Sequence, residues 1–158
     1  MRRDILKLLI MPPSYRRNTS EKELPALQRY DGVLYRVLRK ALREKTLEDL
    51  DILILTEDLR LVKAEEKIPF KPPIGQKWSG WGPAEIPEEV RKKNLEFLKR
   101  LASITKYDEI FIALGLKFRE AIEGIERIFP DSKIIYIQGR GLGEYAKMLK
   151  EWLEKLGE

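Results

Sequence analysis

The chain has 158 residues, with 31 Lys and Arg against 26 Asp and Glu, and it contains neither His nor Cys. That length suits one domain around a single sizeable core. Without imidazole or thiol, the chain can have no disulfides, zinc–thiolate sites, Cys nucleophiles or His-based general bases. Any chemistry must come from carboxylates, Lys, Arg, Tyr, Ser, Thr or backbone amides.

Charged residues make up 36% of the chain while Asn and Gln are scarce, a balance that fits a hyperthermophile protein with surface ion-pair networks. The net charge of +5 permits nucleic acid or phosphorylated ligands as partners without demanding them. The opening MRRDILKLLIMPP superficially resembles a signal peptide. Lys7 interrupts its apolar run and no small-residue cleavage site follows, so it reads as a first core strand. No apolar stretch approaches the roughly 20 residues of a bilayer span. The expectation is a soluble, cytoplasmic protein with no membrane partner.

In chain order, Ile5–Met11 reads as a buried strand stopped by Pro12-Pro13, and Ser14–Lys22 as a polar loop. From Leu24 to about Glu44, apolar Leu27, Leu34, Leu38 and Ala41 recur at helical spacing, with Pro25 suited to a first turn. Gly32 inside this helix marks a break or a tight packing contact. Asp51–Leu55 is a second buried strand, and Leu59–Lys63 suggests a short further one. The segment 66–87 is a long irregular loop, rich in Pro, Gly and Trp beyond Pro69. Glu88–Ile104 is helical, with Val90, Leu95, Leu98 and Leu101 facing the core. Glu109–Leu114 is the third strand, Lys117–Phe129 a helix, Lys133–Gln138 the fourth strand and Leu142–Leu156 the last helix. Continuous apolar strands alternating with amphipathic helices predict one three-layer α/β/α domain, Rossmann-like, with a mainly parallel four-stranded sheet.

In such sheets ligands bind beyond the carboxyl ends of the strands. Four segments qualify. Ser14, Tyr15, Arg16 and Arg17 offer a hydroxyl, an aromatic face and two guanidinium groups, suited to a nucleotide-like ligand or simply to a solvated basic loop. Thr56-Glu57-Asp58 supplies two carboxylates; Glu57 or Asp58 is a candidate catalytic acid or base, or a reader of a base edge, unless the pair only caps the next turn. Gly115 begins the third segment. Gly139, Arg140, Gly141 and Gly143 form the fourth, where backbone amides hold an anion or the glycines merely permit a tight turn. The spacing is G-x-G-x-G after the last strand, which matches neither the dinucleotide fingerprint nor the P-loop. No cofactor and no metal are therefore expected. Arg29, Arg36, Lys40 and Arg43 form a basic stripe that reads as a solvated face or a phosphate-binding one. Trp78 and Trp81 either stack on bases or pin the long loop.

The segments Met11-Pro12-Pro13-Ser14, Tyr30-Asp31-Gly32-Val33-Leu34-Tyr35, Gly115-Leu116-Lys117-Phe118-Arg119 and Gly139–Gly143 together resemble the YaaA-like peroxide-stress family of α/β proteins. More remotely they resemble a domain of archaeosine synthase. The sequence departs from the family where Cys-Ser and a Lys usually follow the first strand; here stand Pro13-Ser14 and Arg16-Arg17. It departs again after the second strand, where Thr56-Glu57-Asp58-Leu59-Arg60-Leu61 replaces Ser-Ala-Lys-Tyr-Gly-Leu. The resemblance implies a nucleic-acid- or nucleobase-related pocket and adds Tyr30 and Arg119 to the candidates. Gly32 then either lets its helix approach the first-strand loop, or marks a helix start at Val33 with Asp31 as N-cap. The leading expectation is binding of a nucleotide, nucleobase or nucleic-acid segment at the strand ends, with Arg16, Arg17 and Arg140 on phosphate. If the protein is an enzyme, a base-modifying or N-glycosidic reaction without a metal fits. The alternative is a non-enzymatic protein- or RNA-interaction module with a structural glycine turn.

Overall fold

The computed structural model describes residues 6–14, 18–45, 47–69 and 86–156. Its main sheet has five strands. They are β1 (Lys7–Met11), β3 (Leu50–Leu55), β4 (Leu61–Lys63), β6 (Glu109–Ile112) and β7 (Lys133–Tyr136), arranged in the order β4-β3-β1-β6-β7. β1 lies parallel to both β3 and β6, and β6 lies parallel to β7. The expected four-stranded sheet thus gains a fifth member. The chain turns back over Thr56–Arg60, so the short β4 pairs antiparallel with β3 at the edge. A second, two-stranded sheet pairs β2 (Glu23–Pro25) with β5 (Lys67–Pro69), and β5 therefore replaces the start of the expected irregular loop 66–87.

Because successive side chains of a strand point to opposite faces, β1 feeds two cores. Leu9 and Met11 join one with α2 (Val33–Glu44) and α6 (Leu142–Lys155), through Leu34, Tyr35, Leu38, Leu149 and Leu153. Leu8 and Ile10 join the other with α3 (Glu88–Ile104) and the segment 120–125, through Leu98, Ile122 and Ile125. Each fully buried aliphatic side chain contributes about 1.5–3 kcal/mol by leaving water, so burial on both faces explains why these strands read as unbroken apolar runs.

Two expected helices are broken, each by backbone geometry. The helix over 24–44 becomes β2, a four-residue α1 (Ala26–Arg29) and α2, with Tyr30 extended between the helices and Gly32 at the N-cap of α2. Asp31 is therefore not the cap, although the helix does begin at Val33. The helix over 117–129 becomes α4 (Leu116–Arg119), a 3-10 turn (Glu120–Ile122) and α5 (Ile125–Ile128). Gly124, at φ 105°, takes the left-handed conformation there, which glycine enters without a Cβ penalty. Among the described residues, no helix is long and apolar enough to cross a membrane.

Candidate functional site

The four parallel strands lie in the spatial order second, first, third, fourth, so the direction of chain progression reverses at β1. In open parallel sheets such a reversal is where ligands bind, beyond the carboxyl ends of the strands on either side of it, here β1 and β6. The chain leaves those ends at Pro12–Ser14 and Ala113–Gly115, with Thr56–Asp58 beyond β3 and Gly139–Gly143 beyond β7 on the flanks.

The most densely hydrogen-bonded chemistry on this edge lies between α1, α2 and the end of β3. Tyr30 is fully buried, and its hydroxyl donates to a Glu57 carboxylate oxygen and accepts the Glu57 backbone N–H at 3.2 Å. Glu57 itself is only 4% exposed, and Tyr30 engages one of its two carboxylate oxygens. The Tyr35 ring lies 5.6 Å from that of Tyr30, and the Tyr35 hydroxyl donates to the Pro12 carbonyl at 2.6 Å. Burial, reinforced by Tyr30 and Glu57 against the opposing Arg39 guanidinium, pushes the Tyr35 phenol well above its ordinary pKa. Ser14 closes the group: a Cβ added to Gly32 would meet its hydroxyl oxygen at 2.6 Å. Gly32 thus brings α2 against the first-strand loop, with Tyr30 and Tyr35 beside it.

Arg39 holds this arrangement from behind. It donates to the carbonyls of Tyr30 at 2.8 Å and Leu27 at 3.2 Å, and pairs with Asp31 at 2.6 Å. No sequence pattern points to it, because Asp31 stands outside the helix and the i,i+4 rule does not apply. On the other side, the Thr56 hydroxyl accepts the Asp58 and Arg60 amides at 3.3 and 3.4 Å, capping the turn between β3 and β4. The cap is therefore the threonine, and the two carboxylates diverge, Glu57 inward and Asp58 to the surface.

The turn is held by Asn94 of α3. Its amide donates to the carbonyls of Leu59 at 2.8 Å and Ala121 at 3.0 Å, and its oxygen accepts the Leu61 amide at 3.0 Å. Asn94 carries no weight in a search for charged candidates. Its place at i,i+4 from Val90 and Leu98, on the apolar stripe, is the signal that marks it.

Beyond β7, Gly139 adopts φ +156°, and a Cβ there would meet the Glu144 Cβ at 2.6 Å. The Glu144 carboxylate, in the first turn of α6, accepts the Arg140 backbone N–H. One amide expected to cradle an anion is thus held by the protein's own carboxylate, while Gly141 and Gly143 have open space around them. Arg119 reaches across from α4. Its Nε donates to the Leu114 carbonyl at 2.9 Å, its Nη2 to the Ile137 carbonyl at 2.6 Å, and its guanidinium lies 4.7 Å from the centre of the Tyr136 ring. Gly115 is the N-cap residue of α4.

Of the basic stripe, Arg36, Lys40 and Arg43 remain exposed, whereas Arg29 leaves the surface. Arg29 is fully buried and donates to the carbonyls of Asn18, Glu21, Lys22 and Ile68, tying the first-strand loop to the two-stranded sheet. Arg36 lies 3.7 Å from Asp31, and Lys40 lies 3.9 Å from Glu44. Tyr15, Arg16, Arg17, Trp78 and Trp81 lie outside the described residues. Two inter-helix cavities, one lined by Leu95, Ala102 and Gly124 and one by Val37, Ala41 and Leu153, include no residue of the carboxyl edge.

No family model and no curated protein matches the chain. Among solved structures, the crystal structure of AF0587, a protein of unknown function, is similar in fold. The TM-score is 0.52 at 16% sequence identity, over 96% of this chain and 46% of that one. The chain therefore spans less than half the length of that protein. The class defined here is a mixed α/β protein with a mostly parallel five-stranded sheet.

Proposed function

We propose that the protein binds a nucleobase-bearing ligand, a nucleotide or a nucleic-acid segment, in the crevice at the carboxyl ends of its parallel strands. The fold on this reading is a doubly wound, three-layer Rossmann-like domain. The observation that carries the proposal is Glu57: a buried carboxylate at the end of β3, with one oxygen held by Tyr30. A carboxylate so placed accepts from the paired N–H donors of a base edge. The buried Tyr30 hydroxyl fixes its direction, and low local polarity strengthens each bond. The relation to the YaaA-like family is part of the same reading. Its support is that the motif residues Pro12–Ser14, Gly32, Gly115 and Gly139 all fall on one edge. The Glu144 contact to Arg140 favours the structural half of the alternative, a glycine turn that shapes the edge without binding through it.

Calorimetric titration with adenosine, guanosine and cytidine tests the proposal. Saturable binding of at least one is expected, weakened roughly tenfold or more in Glu57→Gln, because a charge-assisted acceptor becomes a half-donor amide. Unchanged affinity in a folded Glu57→Gln variant, or no binding of any of the three, overturns it.

A further inference from the structure

We propose that Arg119 is the anion anchor of the carboxyl-edge site, taking the phosphate of a nucleoside monophosphate whose base meets Glu57. The proposal rests on the base-binding reading above and assigns the phosphate to a different group from the glycine turn.

A guanidinium carries five N–H donors in a rigid fork. Arg119 spends two of them, from Nε and Nη2, on the Leu114 and Ile137 carbonyls just past β6 and β7. Those two bonds and the Tyr136 ring fix the plane of the group. What remains is the other edge of the fork, Nη1 with the second N–H of Nη2, whose geometry matches two oxygens of a phosphate. Among the described residues no hydrogen bond engages Nη1, and Arg119 is only partly buried.

Among the described residues no Asp or Glu pairs with Arg119; its partners are two carbonyl dipoles and an aromatic face. Partial burial lowers its pKa, with the Tyr145 hydroxyl acting in the opposite direction. A partly desolvated cation without a counter-ion is costly to hold, and an anionic ligand removes that cost. The glycine turn has the opposite character. Its Arg140 amide already carries the Glu144 carboxylate, which repels a second anion. With neighbouring strands about 4.8 Å apart, the end of β3 and the midpoint of β6 and β7 are roughly 12 Å apart along the edge, a span that a nucleoside monophosphate bridges.

The test compares adenosine and guanosine with their 5′-monophosphates by calorimetry on wild type, Arg119→Lys and Arg119→Gln, each checked for folding by circular dichroism. Inorganic phosphate is titrated separately at constant ionic strength while the Arg119 Nε–H resonance is followed by NMR. The expected result is a preference for monophosphate over nucleoside of about tenfold or more, reduced in Arg119→Lys and absent in Arg119→Gln. A preference that persists in folded Arg119→Gln overturns the anchor. Equal binding of nucleoside and monophosphate by wild type also overturns it, and leaves the Glu57 reading standing. A phosphate-induced shift of Arg119 Nε–H with no nucleoside bound supports the anchor and removes the base reading. Silence from phosphate and monophosphate alike overturns the anchor, and this measurement decides the matter if Arg119→Gln does not fold.

Discussion

Replacing Asn94 by leucine keeps the volume of the side chain and removes all of its polar contacts. Three backbone groups then lose their partners: the carbonyls of Leu59 and Ala121 and the amide of Leu61. Asn94 is 1% exposed, so water does not replace them without opening the packing between α3 and the β3–β4 turn. At about 1–1.5 kcal/mol net for each hydrogen bond, the loss comes to roughly 3–4.5 kcal/mol. Leu59 sharpens the effect, because it sits at φ 65°, a conformation that costs about 1–3 kcal/mol and persists only where its surroundings enforce it. For a chain of this size the melting temperature should fall by about 10 °C. Urea unfolding of Asn94→Leu against wild type, with equal slopes checked, measures this directly. The same turn carries Glu57, so ligand affinity should fall in the folded variant as well. A loss below about 1 kcal/mol would refute the reasoning, since it means that these groups find water or other partners.

Two further predictions concern the opposite face of the sheet, where α2 packs. Gly32→Ala brings a methyl group to within 2.6 Å of the Ser14 hydroxyl oxygen and replaces glycine at an N-cap, a cost of about 1–2 kcal/mol. Ser14→Ala in the same chain should recover part of that loss, and a double-mutant cycle with no coupling would remove the contact from the account. Tyr35 carries a pKa raised by burial, so the folded state keeps its proton after the unfolded state has lost it. Its contribution to stability is complete below the unfolded value of about 10 and declines as pH rises from there through the folded pKa. Tyr35→Phe should therefore lose stability less steeply than wild type above pH ~10. Parallel alkaline profiles for the two proteins would sink that assignment.

The order of strands and helices is legible along the chain because each element is specified by neighbours in sequence. Apolar runs bounded by Pro12-Pro13 or by charges mark β1, β3, β6 and β7, and the 3.6-residue spacing marks α2, α3 and α6. Gly32 and Gly139 are legible as positions where the chain must turn or approach closely, and both do. The break at Gly124 is not, since helical periodicity continues through it and only long-range partners select the interruption.

Side-chain roles depended on tertiary structure. Arg29 and Arg36 stand at helical spacing and look alike, yet Arg29 is sealed against four carbonyls, the farthest 39 residues away. Glu57 and Asp58 are adjacent acids, and a phenol 27 residues away draws one of them inward. Local sequence thus marked the four parallel strands and the long helices α2, α3 and α6, because propensity and periodicity act between near neighbours, while β2 and β5 formed only through their long-range pairing. Which charges are buried and which backbone amides are taken were decided by the order β4-β3-β1-β6-β7, because burial and hydrogen bonding act between residues that only folding brings together.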